Sequence, residues 1–172
     1  MQASVKQLLE VDINRMRPLV AVAVVMAALL LQVFLPLLHS YANLVDLPLL
    51  ITIYLALLRR NPLAGLSIGA AIGLVQDGLS HQPVGLFGII KTLIGYFSSS
   101  LTTVIEVESL TARVVLVCGF YLVHQFSFWT MQRFLLVQQA DFAGTRTLLL
   151  ALVNGLVALL LYRLLDRFRE KT

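Results

Sequence analysis

The sequence predicts an all-α, polytopic membrane protein with about six transmembrane helices and one domain, residues 1–172. Three observations carry this. Hydrophobic residues make up 59% of the chain and charged residues only 13%, about half the charged share of an ordinary soluble domain. Mean hydropathy is +0.88. Apolar runs recur along the whole length, and each spanning helix needs roughly 20 residues. A surface so poor in charge excludes a soluble enzyme, a disordered regulator and a secreted disulfide scaffold.

Residues 1–17 are polar and cytoplasmic in this reading. Val5, Leu8, Leu9, Ile13 and Met16 recur at spacings of three to five, which fits either a short helix on the membrane surface or a frayed tail. The first span runs from about Pro18 to Leu38. Ser40-Tyr41-Ala42 loosely resembles a cleavage site, but the apolar run is longer than the roughly 7–15 residues of a signal peptide core, so a retained helix is expected. Asp46 before Leu47-Pro48 reads as an N-cap with proline in the first turn, opening a short second span of about Leu44 to Leu58. Arg59-Arg60 ends it. Asn61-Pro62 starts the third span, Pro62 to Leu79, in the same way.

A tight turn at Ser80–Pro83 leads to the fourth span, Val84 to Ile105. Glu106, Glu108 and Ser109 form a polar break. The fifth span, Leu110 to Val137, turns polar and aromatic in its second half. After a loop at Gln138–Gly144, with Thr145 a candidate cap, the sixth span covers Arg146 to Leu165. Asp166 to Thr172 is a charged cytoplasmic tail.

The formal net charge is +4. With the N-terminus inside, the inner ends hold Lys6, Arg15, Arg17, Arg59, Arg60, Arg113, Arg163, Arg167, Arg169 and Lys171, and the outer ends only Arg133 and Arg146. That asymmetry predicts six spans with both termini cytoplasmic and contact with anionic lipid headgroups. Trp129 and Phe128 then fall near the outer interface. No basic stripe with interleaved aromatics is present, so no nucleic-acid partner is expected. The single cysteine, Cys118, lies in an apolar run and reads as a small hydrophobe.

The third span carries Gly65, Gly69 and Gly73, with Asp77 continuing the series. Positions four apart share one helix face, so the glycines form a groove that admits another backbone. Two readings are open: packing within the chain, or a docking face for a partner helix. On the fourth span Gly88, Thr92, Gly95 and Ser99 make a second small-residue face. Asp77 and Lys91 flank the turn, and an ionised group inside a bilayer is costly. They are expected to pair or to face a polar cavity opening outward; snorkelling of each to the interface is the plainer alternative. Ser98–Ser100, Thr102 and Thr103 can return hydrogen bonds to their own helix. His124, Gln125 and Asn154 are weaker candidates. His39 and His81 lie in separate loops, and no metal-ligand spacing, nucleophile motif or phosphate loop is present. No catalytic, metal or cofactor residue is expected.

Six short spans, Leu47-Pro-Leu-Leu ending in Arg59-Arg60-Asn61-Pro62, the glycine-rich helix ending QDGLS, and GLFGIIKTLIGYFSSSL with Gly85-Leu86 after Asp77 together resemble the rod shape-determining MreD family. The resemblance is strongest over residues 44–103. It implies a non-enzymatic inner-membrane component of the bacterial cell-elongation machinery. The implied partner is MreC, and through it a SEDS glycosyltransferase (RodA), a class B penicillin-binding protein and MreB. It also implies a fold similar to the substrate-binding subunits of energy-coupling-factor vitamin transporters, with a central cavity facing outward. Gly65, Gly69, Gly73, Asp77, Gly85, Gly88, Lys91 and Gly95 are the candidate partner-binding or cavity residues. The competing function is a vitamin-binding subunit of such a transporter.

Overall fold

The computed structural model describes residues 16–38, 44–80, 83–102, 109–137 and 142–168. The surface segment before residue 16, Ser40–Ala42, His39, His81, Glu106, Glu108 and the last four residues lie outside them. The described residues form an all-helical bundle: α1 (Pro18–Leu38), α2 (Leu47–Arg59), α3 (Pro62–Leu79), α4 (Leu86–Leu101), α5 (Leu110–Thr130) and α6 (Gly144–Asp166). A π-helical turn, Met131–Leu135, extends α5.

The caps explain most of the boundaries. Asp46 Oδ1 accepts from the Leu49 N–H at 2.9 Å, so the second helix begins at Leu47 rather than Leu44. Asn61 Oδ1 accepts from Leu63 and Ala64, with Pro62 in the first turn. Ser109, read as part of a break, caps α5 by accepting from Ala112 at 3.2 Å. Thr145 is not a cap: α6 starts one residue earlier, behind Ala143, without a side-chain cap. The fourth helix starts two residues later than expected, at Leu86, because Val84 and Gly85 belong to the turn; its expected end at Ile105 lies outside the described residues. Gly85 there has φ +98°, a left-handed conformation that suits glycine.

The short second helix is the axis of the bundle. Every residue from Pro48 to Leu57 is buried, and α2 touches all five other helices. A helix that is apolar all round belongs inside. At 1.5 Å per residue its 13 residues extend only about 20 Å, less than the thickness of a bilayer core. Enclosure by protein removes the need to match that thickness.

The α3–α4 hairpin is the closest pairing. A side chain added at Gly65 would strike Ser99 and the Gly95 backbone; at Gly69, the Lys91 backbone; at Gly73, Gly88 Cα at 2.7 Å. Gly95 faces Gly65 in return. Of the two readings of the glycine groove, the structure shows packing within the chain: α4 fills it. Ser99 does not return its hydroxyl to its own helix. It donates to the Ala56 carbonyl on α2 at 2.8 Å, while Ser100 and Thr102 do bond within their own turn. The α5–α6 pair closes on Gly155, which meets Cys118 and Val114, and the Cys118 thiol points to the Ala151 carbonyl at 3.3 Å.

Asp166, expected in the tail, ends α6 and ties the opposite end of the bundle. It accepts from Tyr54 Oη at 2.9 Å and from Arg113 at 2.8 Å. Outward faces remain apolar: Leu148, Leu152, Leu156 and Leu160 make an exposed stripe four residues apart on α6. Among the described residues three helical stretches are long and apolar enough to cross a membrane, Pro62–Leu79, Thr111–Leu135 and Gly144–Asp166; Pro18–Phe34, Leu47–Arg59 and Leu86–Leu101 are shorter apolar helices.

Overpacking a tight interface typically costs about 1–3 kcal/mol, and more where backbone must move. Gly69→Val should therefore lower the thermal midpoint of the purified protein by several degrees or abolish folding. Gly78→Ala, where nothing lies within 4 Å, should keep or slightly raise it.

Candidate functional site

The start of α2 lies inside the bundle, and its free backbone groups need partners. Side chains from two other helices supply them. Gln32 on α1 accepts from the Leu47 N–H at 2.9 Å. Asn154 on α6 accepts from the Asp46 N–H at 2.9 Å and donates to the Leu44 and Leu150 carbonyls. Asn154, a weaker candidate by sequence, holds the entry to the central helix.

Lys91 reaches the same point from α4. Its ammonium stands 3.2 Å and 3.4 Å from the two Asp46 oxygens and 5.5 Å from the Phe87 ring centroid. The lysine side chain is 0% exposed and that of Asp46 16%. The expected Asp77–Lys91 pair is therefore corrected: the counter-ion of Lys91 is Asp46. Asp77 is occupied elsewhere. Its Oδ2 accepts from Gly85 and Gly88 at 2.9 and 3.0 Å, and its Oδ1 from Phe87 at 2.8 Å. Gly85 has no side chain to cap α4, so the carboxylate of the preceding helix caps it across the turn. A helix N-terminus favours negative charge there. Lys91 lies one turn further along α4, where it faces α2 instead of the turn.

His124 on α5 completes the cluster. Its Nε2 is 3.6 Å from Asp46 Oδ2, beyond hydrogen-bond reach. The ring forms an aromatic triangle with Phe87 (centroids 6.0 Å apart) and Phe128 (6.4 Å), and these two phenyl rings stack at 5.3 Å. Phe128, placed at the interface by the sequence, thus turns inward, while Trp129 joins an aromatic group with Phe126, Phe134 and Phe142.

These groups enclose a cavity of about 170 Å³. Its walls are Gln32 of α1, Asp46, Gln76 of α3, Phe87 of α4, and Tyr121, His124, Gln125 and Phe128 of α5. It sits where α2 and α4 begin and α1 and α3 finish. Of the sequence candidates, Lys91 and Asp77 stand behind this cavity rather than on its wall. Gly65, Gly69, Gly73, Gly88 and Gly95 lie inside the hairpin contact. Gly85 and Gly88 also border a different feature, a shallow apolar groove of about 280 Å³ on the outer side of the hairpin, with Ala70, Leu74, Ile89, Thr92 and Leu93. Among the described residues no group of three or more His, Cys, Asp or Glu side chains could hold a metal ion.

Removing one member of a buried ion pair typically costs about 3–5 kcal/mol, because the other charge stays buried. Lys91→Met and Asp46→Asn should each destabilise the protein strongly, and the double variant by less than their sum, read as a double-mutant cycle of thermal unfolding. Asp77→Ala should cost about 1–2 kcal/mol, and Asp77→Asn less, since one acceptor oxygen remains.

The comparisons with known proteins agree with the resemblance. A family model described as rod shape-determining protein MreD matches residues 14–171, nearly the whole chain. No curated protein and no solved structure gives a significant match. The family match gives no support to the vitamin-transporter alternative. The chain belongs to the rod shape-determining MreD family of membrane proteins, and its role is in rod-shape determination.

Proposed function

We propose that this protein is a non-enzymatic scaffold of the cell-elongation machinery in the bacterial inner membrane, crossing it six times with both termini cytoplasmic. Its partner is MreC, and through MreC it helps to regulate a RodA-type SEDS glycosyltransferase and its class B penicillin-binding protein, with MreB on the cytoplasmic side. The Lys and Arg asymmetry supports the orientation, since the basic residues gather at one set of helix ends. The cavity then opens toward the outer side.

One observation carries the docking part of this reading. The close backbone contacts inside the α3–α4 hairpin are used up by the fold, yet its outer side keeps an apolar groove bordered by Gly85 and by Gly88, which also meets Gly73 within. Ile89 and Leu93 on its rim are about half exposed. In lipid, helices associate through close packing rather than hydrophobic drive, and a notch bordered by small residues offers that packing. The membrane helix of MreC, or the segment just outside it, is the proposed occupant.

A crosslinking scan tests this. Single cysteines in a Cys118→Ala background at Ile89 and Leu93 should crosslink to MreC, whereas Leu156 and Leu160 on α6 should not. Crosslinks confined to α1 and α6 would overturn the assignment. A detergent pull-down of the tagged chain should recover MreC; recovery of an ATPase pair with a coupling subunit instead would overturn the function.

A further inference from the structure

The cavity at the start of α2 has a chemistry of its own. Buried polar atoms almost always have partners. Here Gln76 Oε1 and both ring nitrogens of His124 are buried without a hydrogen bond, and both side chains line the cavity. Gln76 is 5% exposed and His124 3%. A neutral imidazole offers one donor and one acceptor, and the glutamine oxygen a further acceptor. A ligand must therefore both donate and accept.

Charge narrows the class. Asp46 and Lys91 neutralise each other at 3.2 Å. An anion entering the cavity would meet the Asp46 carboxylate, and a cation would meet a carboxylate already paired with the Lys91 ammonium behind it. Neither finds an unpaired counter-charge on the wall. Shape narrows it further. Phe87 and Phe128, stacked on each other with centroids 5.3 Å apart and planes 12° from parallel, give the cavity an aromatic side. Pockets of this kind bind by apolar walls, while a few polar groups fix orientation. The volume, about 170 Å³, exceeds what one water needs; a cavity of about 150 Å³ holds a benzene ring.

We propose that this cavity is a binding site for an uncharged, planar carboxamide group, carried either by a free small molecule or by an amide side chain of a docked protein segment. The carboxamide N–H₂ donates to Gln76 Oε1, its oxygen accepts from the His124 ring N–H, and its body packs beside the Phe87 and Phe128 rings. The site stands independently of where MreC docks.

Three probes of one shape test it: benzamide, benzoate and benzamidinium. Each is titrated into the full-length protein in nanodiscs, with histidine ring nitrogens labelled with ¹⁵N and read by NMR. His124→Phe assigns the signals, because it removes them while keeping an aromatic ring in the stack. Benzamide should move the His124 signals saturably and bind at least tenfold more tightly than either charged probe. Gln76→Leu should weaken benzamide at least tenfold; should that variant not fold, the charge series on the unaltered chain decides alone. Equal response to all three probes, a charged probe binding more tightly, or no movement with benzamide, as a cavity exchanging only water would give, overturns the proposal. Repeating the titration on the chain copurified with MreC identifies the source. His124 signals already shifted and unresponsive to benzamide assign the amide to the partner's segment. An unchanged response assigns it to a free compound. Failure of MreC to copurify counts against the docking proposal and leaves the first titration intact.

Discussion

The fold turns on one buried helix start. α2 begins inside protein, where its first N–H groups have no water to bond. Asp46 caps one of them, Gln32 takes the Leu47 N–H, and Asn154 takes the N–H of Asp46 itself. The Asp46 carboxylate then needs a counter-ion, which arrives as Lys91. Each requirement recruits a different helix: α1, α6 and α4, with His124 of α5 beside them. A single helix terminus thus organises the polar interior of the molecule.

Such a junction has particular value in a membrane. Lipid tails are as apolar as leucine, so burial of apolar surface gives little drive for one helix to prefer another. Specific geometry must come from hydrogen bonds, ion pairs and backbone approach. This chain uses polar bonds at the start of α2 and at Asp166, and close approach along α3–α4. The axis is also pinned along its length by two neighbouring tyrosines: Tyr162 donates to the Leu50 carbonyl, and Tyr54, its ring 5.0 Å away, reaches Asp166 beside Arg113. The exposed leucines of α6 face outward without a structural partner in the bundle, as lipid-facing residues do.

The inside and outside of the α3–α4 hairpin serve different ends. Inside, glycine lets two backbones touch, and the contact is filled. At the margin, Gly85 and Gly88 also border a shallow notch, although Gly88 meets Gly73 within. Small residues therefore do not mark a partner site by themselves; what matters is which surface stays open once the hairpin has closed.

Helix positions and the all-helical, membrane-embedded class were legible because apolar runs, Asx–Pro starts and proline or glycine breaks are local signals. Asp46, Asn61 and the third-helix boundaries follow from adjacent residues alone. The candidate site was only partly legible. Asp77 and Lys91 stood out as charges among apolar residues, but the nearest opposite charge along the chain was the wrong partner. Asp46 is 45 residues from Lys91 and Asn154 is 108 from Asp46, so only the bundle brings them together. Phe128 and His124 likewise gain their inward role from Phe87, a residue of another helix. Local chemistry set which helices form, because capping and hydropathy act within a few residues. Tertiary structure chose the ion pair, the cavity and the face left open, because those depend on distances that no local pattern encodes.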